Sequence, residues 1–149
     1  MRAQRGSTLI ELVVAIVIIT MAAGTIVGLI AMMSRSSAET MTQSQSANIA
    51  NAYLSEILSQ PFGPVIGGAN RAAYNDVTDY NGLADAAPLD RFGNPIPNSA
   101  GYRVDVFVAN AALGTGGNSI PAGNSRRIQV RVTDPMGDVV WLTGFKTQH

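Results

Sequence analysis

Residues 12–33 read Leu12-Val13-Val14-Ala15-Ile16-Val17-Ile18-Ile19-Thr20-Met21-Ala22-Ala23-Gly24-Thr25-Ile26-Val27-Gly28-Leu29-Ile30-Ala31-Met32-Met33, and only Thr20, Gly24, Thr25 and Gly28 among these 22 positions fall outside the apolar set. Wound as a helix, the run would measure about 33 Å, enough to cross a bilayer core of about 30 Å. Arg2 and Arg5 stand ahead of it, so the positive-inside rule predicts a cytoplasmic N-terminus and places everything after Arg35 across the membrane. A secretory signal peptide also begins with basic residues, but its apolar region spans only about 7–15 residues. This run is longer.

A plain single-pass anchor explains all of this except Glu11, at the head of the run. A carboxylate in a membrane segment costs about 2.5–3.5 kcal/mol on insertion scales, which marks it as a functional residue with a partner. Arg5 can snorkel toward it. Scission between Gly6 and Ser7 would instead create a positive amine on Ser7, four residues from Glu11.

The stretch Arg5-Gly6-Ser7-Thr8-Leu9-Ile10-Glu11-Leu12 resembles the processing site of type IV pilins and type II secretion pseudopilins. There, a short basic leader ends in glycine, and the mature chain opens with an aromatic residue followed by Thr-Leu-Ile-Glu. The resemblance implies that residues 1–6 form a leader removed by a prepilin peptidase. It also implies that Ser7 becomes the methylated N-terminus and that Glu11 occupies the family's glutamate position. Ser7 departs from the pattern, since the family usually has phenylalanine there.

Working outward, no proline occurs before Pro61. Ile49, Ala50, Tyr53, Leu54, Ile57 and Leu58 repeat at the spacing of an amphipathic helix lying on a core, whereas residues 34–48 are polar on nearly all faces. One helix from about Ser7 to Gln60 follows, ended by Pro61, Gly63 and Pro64. Gly24 and Gly28 have the spacing that lets helices approach closely in an apolar medium. Their alternative reading is as tolerated or easily unwound positions in lipid.

Residues 61–101 are punctuated by Pro, Gly and Asn, and Tyr74, Tyr80, Leu83, Leu89 and Phe92 are candidates to pin this stretch to the core. Asp76, Asp79, Asp85 and Asp90 raise the possibility of a calcium site. Without EF-hand spacing, turn capping is the better reading. The last third alternates as strands: Tyr102, Val104, Val106 and Val108, then Ile128, Val130 and Val132, then a turn at Asp134–Asp138 before Val139 to Lys146. A loop of residues 109–125 would link the first two. The predicted class is α+β, with one long N-terminal helix, apolar in its first half, packed on a C-terminal antiparallel sheet.

That order is similar to the whole pilin architecture. It implies a leader (1–6), a transmembrane and filament-core helix (7–34) and a periplasmic head (35–149). Ala52-Tyr53-Leu54-Ser55-Glu56-Ile57-Leu58 with Pro61-Phe62, and Asn75-Asp76-Val77-Thr78-Asp79-Tyr80-Asn81-Gly82, look like minor pilins of the mannose-sensitive haemagglutinin (MSHA) type. The partners implied are the prepilin peptidase, other pilin subunits, the pilus assembly platform and the inner membrane. A secretion pseudopilin is the alternative.

Enzymatic chemistry is disfavoured. There is no cysteine, the one histidine is the last residue, His149, and no glycine loop has Rossmann or P-loop spacing. No cofactor is expected. Ten basic and ten acidic residues give a formal net charge of zero, which argues against nucleic acid at the level of the whole chain. Arg126, Arg127 and Arg131 suggest a ligand- or DNA-binding subunit at a filament tip, but next to Asp134 and Asp138 they read first as a solvated sheet surface.

Overall fold

The computed structural model describes residues 8–64, 68 and 70–148. Among these residues one helix, α1 (Leu9–Ser59), is followed by four short 3-10 turns and four strands, β1 (Ala84–Asp85), β2 (Arg103–Asn110), β3 (Ser125–Thr133) and β4 (Val139–Thr147). This is the α+β, pilin-like arrangement expected from the sequence. The chain divides into two compact units, one up to Met41 and one from Thr42, and α1 contributes to both.

In the second unit α1 buries Ser46, Ile49, Ala50, Tyr53, Leu54 and Ile57, the three-and-four spacing that gives a helix one apolar face. The sheet is an antiparallel meander in the order β1-β2-β3-β4. Period-two alternation sends Val104, Val106, Val108, Ile128, Val130 and Val132 into the same core, with the opposite parity left outside. At roughly 1.5–3 kcal/mol for each fully buried aliphatic or aromatic side chain, this helix-on-sheet layer is the main source of stability in the unit. Gly144 permits the close approach of helix and sheet. A Cβ there would lie 2.9 Å from Leu54 Cδ1.

Strand pairing extends β2 and β3 further than alternation suggested. Ala109 pairs with Arg127 and Asn110 with Arg126, so the linking loop shrinks to residues 111–124. The β3–β4 turn is closed from inside by Asp134, whose carboxylate accepts from the backbone N–H of Met136 at 2.8 Å and of Asp138 at 2.9 Å.

The stretch 61–101 is more ordered than its composition implies. Val77 and Tyr80 are fully buried, and Tyr74 and Leu83 pack against the core. Asp76 caps the 3-10 turn Val77–Tyr80, and Asp79 answers it as a reciprocal capping box. Gly63 has φ +76° and faces the Asp76 carboxyl, where any Cβ would sit 2.5 Å from Cγ, so only glycine fits. Phe92 corrects the expectation. It is 79% exposed, because it rides on a turn whose N–H groups at Phe92 and Asn94 both point back to Asp90, leaving the side chain outside.

Candidate functional site

Leu9–Met33 is a helical span long and apolar enough to cross a membrane, and none of it is buried among the described residues. Its termination at the N-terminal side is local: the Thr8 carbonyl accepts from the Glu11 and Leu12 N–H groups at 3.0 and 3.2 Å. Glu11 lies in this first turn, where a carboxylate is favoured by the positive end of the helix dipole. The two threonines hide their hydroxyls within the helix. Thr20 Oγ1 donates to the Ile16 and Val17 carbonyls at 2.9 Å, and Thr25 Oγ1 to Ala22 O at 2.7 Å. Such bonding removes the cost of placing a hydroxyl in an apolar medium.

Among the described residues nothing lies within 4 Å of a Cβ built on Gly24 or Gly28, so neither glycine is needed for packing there. They leave a shallow strip on an exposed apolar helix. Gly6 and Ser7, the expected cleavage pair, lie outside the described residues.

Residues 1–27 match the prokaryotic N-terminal methylation motif. The match supports a type IV pilin-like chain, processed by prepilin peptidase and assembled with other pilin subunits, and a structural subunit rather than an enzyme. With the apolar span at Leu9–Met33 it fits a pilin held in the inner membrane. Comparison with curated proteins and with solved structures gives no significant match.

The second unit is held by a polar network that the sequence did not announce. Arg71 is the hub. Its Nε and Nη2 grip Glu56 at 3.1 and 2.7 Å, its Nη1 donates to Asp85 Oδ2 at 2.9 Å and to Leu89 O at 3.0 Å, and its guanidinium lies 4.2 Å from the centre of the Tyr53 ring. Tyr53 donates to Asp85 at 2.6 Å and Tyr80 to Glu56 at 2.9 Å. Burial works against the charge on Arg71, but the Glu56 carboxylate outweighs it and the guanidinium pKa is raised. The network ties four points of the 61–101 stretch, Arg71, Tyr80, Asp85 and Leu89, to the last turns of α1. Two signals were present: Glu56 follows Tyr53 by three residues on the core face, and Arg71 is the sole basic residue between Arg35 and Arg91.

The four candidate calcium aspartates separate in space by task. Asp76 and Asp79 cap a turn, Asp85 belongs to the Arg71 network, and Asp90 closes the Phe92 turn with Asn94, which holds its carboxyl below the usual carboxylate range. Among the described residues, no group of three or more His, Cys, Asp or Glu side chains is placed to hold a metal ion.

Burial, followed by the hydrogen bond to Asp85, pushes the Tyr53 phenol up to about 12. Burial and the Glu56 carboxylate raise Tyr80 as well. Both phenols hold their proton more tightly folded than unfolded, where the pKa is about 10. Their contribution to stability is therefore complete below about pH 10 and is lost as the pH rises through the folded value. Ultraviolet difference absorbance should show at least two of the four tyrosines un-ionised until the unit unfolds. Ionisation of all four in a folded chain at about pH 10.5 would contradict the assignment.

Proposed function

We propose that this chain is a minor type IV pilin of the mannose-sensitive haemagglutinin type. It is made as a prepilin, with its N-terminus cytoplasmic and its head (35–149) periplasmic, cut between Gly6 and Ser7, and drawn from the inner membrane into a surface filament through residues 7–34. The observation that carries this reading is an apolar helix left uncovered by the described residues, opened by Glu11 and overlapped by the processing motif. Lipid covers such a helix before assembly, and neighbouring helices cover it afterwards.

Glu11 then has a mechanical task. In a filament core its carboxylate stays in low dielectric, where an opposite charge in good geometry is the favourable partner. The Ser7 amine of an adjacent subunit supplies one and sets the axial register between the two. Gly24 and Gly28 let helices close on each other. The MSHA assignment over a secretion pseudopilin is supported by the Asn75–Gly82 resemblance, a segment that forms the capped turn burying Val77 and Tyr80.

The reading is tested by intact mass and N-terminal sequencing of protein from cells containing prepilin peptidase. Loss of residues 1–6 and a methylated Ser7 are expected. Assembled material that retains Met1 would end it. Leucine at both Gly24 and Gly28 should leave cleavage and the head unchanged while reducing incorporation into filaments several-fold, as quantified in sheared fractions. Unaltered incorporation would remove these glycines from the interface.

A further inference from the structure

The role proposed for α1 in assembly does not call on the outer face of the sheet. Phe107, Trp141 and Phe145 share this face and are 42%, 51% and 43% exposed. Phe107 on β2 and Trp141 on β4 lean toward each other across β3, with ring centroids 6.0 Å apart and planes inclined by 28°. Between them the Arg131 guanidinium lies 5.8 and 5.7 Å from the two ring centres, fixed by hydrogen bonds of 3.2 and 2.8 Å to Asp105 Oδ2.

The charge of this face differs from what the sequence implied. Asp134 spends its carboxylate on the backbone N–H groups of the β3–β4 turn, and Asp138 stands in that turn outside the strand ladder. Arg126 leaves the group, lying 4.4 Å from the centre of the Phe62 ring. Strand parity and register leave Arg103, Arg127 and Arg131 on the outer face against one carboxylate among the described residues, Asp105. Asp105 is taken up by Arg131 at 2.8 Å and more loosely by Arg103 at 3.4 Å. Arg127 is exposed, about 14 Å along β3 from Arg131.

Flat rings bracketed by guanidinium groups complement a polymer that carries both a flat ring and a negative charge in each repeat. A duplex keeps its base planes inside the stack, whereas a single strand offers bases and phosphates together. We infer that this face binds single-stranded nucleic acid, with bases stacking on Phe107, Trp141 and Phe145 and phosphates held by Arg103 and Arg127. Arg131, already committed to Asp105, fixes the ring pair in place. The inference is independent of filament assembly.

Trp141 is the sole tryptophan and therefore reports from within the site. The full chain in non-ionic detergent is titrated with oligothymidylate of about 15 nucleotides, long enough to span one such site. Saturable quenching of Trp141 is expected, weakening as salt rises because phosphate contacts release counterions. Arg127→Ala should weaken binding about tenfold and flatten the salt dependence, and Phe107→Leu should weaken it several-fold at an unchanged salt slope. Near-ultraviolet circular dichroism confirms that each variant keeps its fold. Equal quenching by inorganic polyphosphate would overturn the stacking role, and equal affinity for duplex DNA would overturn the single-strand assignment. No quenching at low salt, or saturation by an anionic polysaccharide in preference to the oligonucleotide, would overturn the proposal outright.

Discussion

Arg71→Ala is expected to lower the stability of the second unit by about 3–5 kcal/mol, the cost of removing one partner from a buried ion pair. The Arg71 side chain is 9% exposed, so water does not replace what is lost. Glu56 and Asp85 would lose the guanidinium that bridges them, and the 61–101 stretch would keep the tyrosine hydrogen bonds, Tyr53 to Asp85 and Tyr80 to Glu56, as polar ties to α1. For a unit of this size the midpoint of thermal unfolding should fall by on the order of 10–20 °C. Near-ultraviolet circular dichroism is the appropriate readout, because it ignores the helical signal of the apolar segment. Arg71→Lys keeps the charge but not the two-pronged grip on Glu56, and should recover only part of the loss. A midpoint unmoved by Arg71→Ala would show that core packing and the tyrosine hydrogen bonds hold the stretch without it.

Glu11→Ala distinguishes a filament subunit from a simple membrane anchor. In an anchor, removing a carboxylate from the apolar run is neutral or improves insertion. In a filament, it strips the neighbouring Ser7 amine of its partner in a low-dielectric core, again an effect of about 3–5 kcal/mol. That corresponds to an equilibrium shift of at least about a hundredfold against incorporation. The variant should still lose residues 1–6 and remain in the inner membrane, yet be depleted from sheared filaments. Recovery at the wild-type ratio would withdraw the mechanism while leaving the fold untouched.

The two halves of the chain differed in how openly their sequence spoke. The apolar run needed no tertiary information, since length and composition alone determine whether a helix can span lipid. The Ile49–Leu58 stripe and the alternation of β2 and β3 were legible for a related reason: each has a single periodicity set by one buried face. The stretch 61–101 was opaque because its order comes from contacts between residues distant in sequence. Arg71 meets Glu56 across 15 positions and Tyr53 meets Asp85 across 32, and no local pattern records such meetings. Phe92 was misplaced for the opposite reason. A large apolar side chain reads as core until the Asp90 turn shows its backbone committed elsewhere. On the sheet, residue parity put Arg127 and Arg131 on one face, but it could not show that Phe107 and Trp141 would close over Arg131.

The lysine near the end of β4 has a practical consequence for handling the protein. Natural sheets often station a lysine on an outermost strand so that two molecules repel rather than zip together. Here Lys146 turns inward and donates to the Leu58 carbonyl at 2.9 Å, which closes the end of α1 but withdraws the sentinel. Among the described residues β4 pairs with β3 alone, and it presents Val139, Trp141 and Phe145 beside that unguarded rim. Concentrated stocks should therefore be the first to cloud on storage, and a second lysine at Thr143 is the simplest preservative.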